Sequence, residues 1–203
     1  PAERANLAVG VLNGSLYALG GDYMGAAQSN VYRYEGGAWS EVAPLSGARR
    51  GSAVGVLNGA LYAVGGDFST NVCRYNGTNW TEVAGLPAAR SSLEAGVLNG
   101  SLYVVGGDSG TNVYRYNGTN WTEVAGLPMQ RDRLAAVTLN GLLYAIGGES
   151  FGSAQTNVYR YNGTNWTEVA GLPAWREGLA AGVLDDELYS VGGFYAGASQ
   201  KNV

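Results

Sequence analysis

Short apolar runs alternate with turn residues from one end of the chain to the other. In one stretch, Ala53-Val54-Gly55-Val56-Leu57 and Leu61-Tyr62-Ala63-Val64 flank Asn58-Gly59, a dipeptide suited to a type I′ turn. Such a pattern predicts two antiparallel strands, called a and b, closed by a tight hairpin. After Gly65-Gly66 and a short loop, Asn71-Val72-Cys73-Arg74-Tyr75 predicts strand c. Asn76-Gly77-Thr78-Asn79 then turns the chain into Trp80-Thr81-Glu82-Val83, strand d, and Gly85 to Arg90 links it to the next copy. The period-2 texture and the density of glycine exclude a helical solenoid.

The unit recurs along the whole chain. Gly-Gly pairs stand at 20/21, 65/66, 106/107, 147/148 and 192/193, and Trp39, Trp80, Trp121 and Trp166 keep step with them. Thr111 to Pro128 and Thr156 to Pro173 are identical, and Thr70 to Pro87 differs from them only at Cys73. Five repeats follow, at about 1–45, 46–86, 87–127, 128–172 and 173–203, within one domain spanning 1–203. The fifth is incomplete, because Asn202-Val203 matches only the start of strand c. Four-stranded units of this length cannot bury both faces alone and are expected to stack radially as blades of an all-β propeller.

A Gly-Gly doublet closing strand b, a Tyr in strand c and a Trp at fixed distance in strand d together resemble the kelch repeat. The likeness covers essentially the whole chain. It implies a kelch-type β-propeller of four-stranded antiparallel blades, with four full repeats and a partial fifth. Kelch propellers are commonly binding modules, so the resemblance implies a scaffold that presents loops to a protein, peptide or glycan. An open two-stranded last blade would invite pairing with another chain. Near-identical copies fit recent tandem amplification or construction. Cys73, one base away from the Tyr codon, reads as drift in an amplified gene.

Composition narrows the chemistry. The chain has no His and one Cys, so His/Cys zinc sites, Ser/His or Cys/His nucleophiles and His-ligated haem are all excluded. No cofactor or metal is expected. A net charge of −4, with Lys201 the only lysine, provides no basic field for nucleic acid. No apolar run approaches the length of a membrane span. Scarce Lys with abundant Thr, Asn and Gly leans towards a secreted or cell-surface setting.

Where framework residues repeat, candidate functional residues are those that break the repeat. All length variation lies in the b-to-c loops, which hold Phe68, Phe151 and Phe194 together with Tyr23, Met24 and Tyr195. Exposed aromatics would form a contact platform; the alternative is that they fold back over the blades. The d-to-a links should open on the same face as these loops. Each carries an arginine, Arg4, Arg49, Arg90, Arg131 or Arg176. These five are expected either to ring a channel mouth and clamp an acidic ligand, or to brace the blades through backbone carbonyls. Their neighbours vary, and Trp175 and Arg133 are candidate ligand contacts. Glu94 replaces an alanine of strand a and needs a partner or water. An enzymatic alternative rests on resemblance to kelch-type sialic acid mutarotases, with Glu94, Glu177 and Asp132 as acid and base and Arg131 or Arg176 as carboxylate clamp. A third reading is a purely structural repeat protein without a ligand. The Gly-Gly pairs read as structural, and the Asn-x-Ser/Thr sequons read as turn chemistry.

Overall fold

The computed structural model describes residues 3–201, and within them every regular element is a strand. The second repeat forms a sheet of Ala53–Leu57, Ala60–Val64, Val72–Tyr75 and Trp80–Glu82 in that spatial order, so strands a to d lie side by side. The first, third and fourth repeats build the same sheet. In the fifth, Ala180–Leu184 pairs with Glu187–Val191 as a two-stranded sheet. Its expected strand c, Asn202-Val203, lies outside the described residues.

Turn chemistry sets these hairpins. Asn58 and Gly59 have φ of +49° and +69°, the pair of left-handed residues that a type I′ turn requires. Between strands c and d, the Asn76 side-chain oxygen accepts from the backbone N–H of Thr78 and of Asn79, both at 2.9 Å. Asn117 and Asn162 repeat this arrangement. The sequon asparagines at these turns are therefore structural elements of the chain reversal.

Contacts divide the chain into two compact units, one of residues 1–91 with 117–121, the other of residues 92–116 with 122–203. The core of the first gathers Leu12, Tyr17, Leu19, Val31, Leu61 and Tyr75. The core of the second gathers Leu98, Tyr103, Val105, Leu143, Tyr159 and Tyr161, with Ile146 and Leu179 in a neighbouring cluster. In both, a strand c tyrosine stacks on the strand d tryptophan of its own repeat, Tyr75 on Trp80 and Tyr161 on Trp166, at 4.9 Å between ring centres. Each tryptophan N–H reaches the preceding link: Trp80 donates to Ala43 O and Trp166 to Ala125 O, both at 2.9 Å. That bond explains the fixed Trp spacing, since one side chain packs its own blade and staples the one before it.

The glycine doublet is equally structural. Gly148 has φ of +89°, and a Cβ there would sit 2.6 Å from the Asp132 carbonyl oxygen. Its N–H donates to Arg176 O while Asp132 O accepts from Glu149 N–H, so strand b ends beneath two links at once.

Candidate binding face

The b-to-c loops and d-to-a links meet, as their place in the repeat predicts. In the first unit, Ala5 and Asp22 exchange backbone hydrogen bonds at 3.0 and 2.8 Å, and Ser69 bridges Arg90. In the second unit, Asp132 pairs with Glu149, Gln155 with Arg176, and Glu177 with Phe194. The loops are therefore bonded to the links and rigidly held.

The eight-residue loops form miniature hairpins that the sequence did not announce. Asp22–Tyr23 pairs with Ala26–Ala27, Glu149–Ser150 with Ser153–Ala154, and Phe194–Tyr195 with Ala198–Ser199. At their tips Met24, Phe151 and Ala196 take φ near +50°, each followed by a glycine. In the four-residue loop of the second repeat, Phe68 has φ of +54°. A bulky side chain in this region carries strain, and burial usually compensates it. Burial does not do so here: Met24 is 88% exposed, Phe151 80% and Phe68 74%. The fold-back alternative fails for these three. Arg50, one of the varying neighbours of the link arginines, ties two loops of the first unit together. It donates through Nε to Asp67 Oδ1 at 3.1 Å and through Nη1 to Gly25 O at 3.3 Å.

Four of the five arginines take the bracing role. Arg4, Arg49, Arg131 and Arg176 each donate through Nη1 to the carbonyl of the first glycine in their own doublet, Gly20, Gly65, Gly147 and Gly192. Arg131 continues through Nη2 to Asn157 Oδ1 at 3.1 Å, and Asn157 in turn donates to Glu168. Arg4 and Arg131 also lie over the strand c rings of Tyr32 and Tyr159, at 5.0 and 5.2 Å. Arg131 and Arg176 are only 1% exposed, and Arg49 and Arg90 are buried too. The expected ligand clamp at Arg49, Arg90, Arg131 and Arg176 is corrected accordingly: folding places these guanidinium groups under the loops. The mutarotase alternative loses its carboxylate clamp with them. The strand d glutamates belong to this framework as well, since Glu41, Glu123 and Glu168 accept from Asn30, Asn112 and Asn157 at 2.5 Å.

Cys73 occupies the tyrosine position beside Arg49. Its thiol is fully buried, donates to Asn71 Oδ1 at 3.0 Å, and accepts from Arg49 Nη2 at 3.6 Å. Glu94 stands at the start of its strand a, opposite Val105. Although part of its surface is accessible, it is crowded deeply enough that burial pushes its carboxyl up to about 7, against a lowering hydrogen bond from the Ala95 backbone.

Candidate residues at the other link of the second unit come together. Trp175 is 50% exposed and meets Tyr195 at 5.7 Å between ring centres, tilted by 45°. With Glu177, Phe194 and the Gly152–Ala154 turn they bound a cleft of about 390 Å³. Beside it Arg133 Nη1 lies 3.1 Å from Glu149 Oε2 and 3.7 Å from Glu177 Oε2. Glu149 was not singled out by sequence, although it is the one loop-opening residue that is Glu where Asp22, Asp67 and Asp108 stand elsewhere. Burial raises Glu177, reinforced by its hydrogen bond to Glu149 and by the Glu149 charge, while Arg133 lowers it. Burial and the Glu149 charge raise Asp132 as well. Tyr23 lies exposed in the first miniature hairpin, away from any such acid cluster in its own unit.

Sequence comparison meets this geometry at two places, since the family described as Kelch motif matches residues 3–46 and 130–173. The first and fourth repeats carry the kelch motif. The fold agrees: a solved structure of YjhT is similar to it with a TM-score of 0.86, covering 98% of this chain and 80% of that one. The two share 16% sequence identity, so the likeness is one of fold, an all-β kelch propeller of four-stranded blades. No curated protein matches the chain in sequence. The two matched segments cover most of the first and fourth repeats, whose loops carry Met24 and Phe151.

Proposed function

We propose that this kelch protein is a non-catalytic binding module that takes a peptide or protein partner on its loop face. The supporting observation is the set Met24, Phe68 and Phe151, bulky apolar side chains that are both strained and exposed at loop tips. A chain optimised for stability alone would put Asn or Gly there. Strain tolerated without burial suits residues whose burial comes from a partner, where large side chains on rigid supports supply most of the affinity. Preorganisation does the rest, because loops bonded to the links lose little entropy on binding.

The test is a random-peptide display library panned on the intact protein. Binders should weaken at least tenfold against Ser at the tip they use, Met24→Ser or Phe68→Ser in the first unit or Phe151→Ser in the second, with melting temperature held within a few degrees. Binders indifferent to all three substitutions would overturn the proposal.

A further inference from the structure

Three carboxylates crowd one end of the second unit, and among the described residues Arg133 forms ion pairs with two of them. Asp132, Glu149 and Glu177 stand together, and Arg133 contacts Glu149 and Glu177. Asp132 takes a hydrogen bond from Ser109 at 3.4 Å on one oxygen, whereas its Oδ1 is buried with no partner among the described residues. Glu177 continues from this cluster into the cleft beside Trp175, Phe194 and Tyr195. The site is thus short of positive charge on one side and lined by aromatic rings on the other.

Resting on the binding-module reading above, we infer that this cleft receives the guanidinium or ammonium head of an Arg or Lys side chain presented by the partner peptide. A cation placed there would lie within about 6 Å of a ring face, the range in which the ring quadrupole attracts it, and would face the Glu177 carboxylate. Two rings tilted by 45° make a corner that encloses a compact head. They do not make the flat open platform on which a sugar ring stacks. An anionic ligand would add to the excess of negative charge. A metal ion is disfavoured as well, because among the described residues no three acids are placed to hold one. The net charge of −4 draws a basic peptide towards the molecule over longer range. The cleft is polar enough to orient the head, and the exposed tip of Phe151 beside it offers apolar contact to the neighbouring peptide residue.

The test is an NMR titration of the full chain with N-acetyl-arginine amide and N-acetyl-lysine amide, against N-acetyl-citrulline amide as the neutral mimic of arginine. Saturable shifts at the amides of residues 175–177 and 194–197 are expected with the cations, with citrulline at least tenfold weaker. Glu177→Gln and Trp175→Ala should each weaken arginine at least tenfold while leaving the remainder of the spectrum in place. Equal binding of citrulline, shifts elsewhere only, or no saturation would overturn the inference. The peptide library separates this from the broader reading. Peptides that depend on Met24, Phe68 or Phe151 but show no enrichment of Arg or Lys would overturn the cation cleft and keep the binding module. A library without binders would overturn the module, while the arginine titration still decides the cleft.

Discussion

Burial holds the Glu94 carboxyl neutral well above the pH at which it ionises in an unfolded chain. Its folded pKa is about 7, and its unfolded pKa is about 4.3. Between those values the unfolded chain has lost a proton that the folded chain keeps, so rising pH removes stability across that window. The loss amounts to roughly 4 kcal/mol at most. Glu94→Gln should therefore match the parent in melting temperature near pH 4 and exceed it at pH 8. Parallel curves from pH 4 to 8 would show that the carboxyl is not held in this way. The anomaly itself was legible, since a Glu stands where four other copies have Ala. Which way it resolves was not, because desolvation depends on groups brought close only by folding. The arginines carry the opposite lesson. Their recurrence in every copy was visible, but recurrence alone does not separate a ligand clamp from a brace, and it takes the bonds to Gly147 and Gly192 to decide.

At the scale of elements, strands were easy to read and loops were not. Alternation and Asn-Gly turns specify a to d from local residues alone. The miniature hairpins depend on bonds between loop and link, such as Ala5 to Asp22, that join residues distant in sequence. Their tips expose a conflict between stability and use. Met24, at φ of +51°, occupies the first position of a type I′ turn, where Asn is far better suited. Met24→Asn is expected to raise stability by roughly 0.5 to 1 kcal/mol, read as a shift of denaturation midpoint without change of slope. The same variant should bind library peptides more weakly. A variant less stable than the parent would mean that the methionine makes contacts its exposure denies.

At the scale of the molecule, the repeat carried the fold in the sequence because each copy spells the same four strands, and the departures from it marked the faces left for other work. The aromatic candidates were legible as misfits among polar loops. The acid cluster was not, since Glu149 joins Glu177 only through the link and loop pairing. One departure lies inside the framework. Cys73 is the chain's single thiol, and it sits sealed beneath the second blade in the grip of Arg49 and Asn71. The one copy with cysteine where three others have tyrosine is thereby a latch sensor. A thiol reagent cannot touch Cys73 until that blade opens, so its labelling rate counts spontaneous openings at one known place. Labelling should be at least a thousandfold slower in the native protein than in denaturant, and should rise with each mutation that loosens the second blade. Prompt labelling of native protein would mean the blade breathes freely. The rate also gives a local opening free energy for one copy in an array of near-identical ones, a resolution that melting the whole chain does not offer.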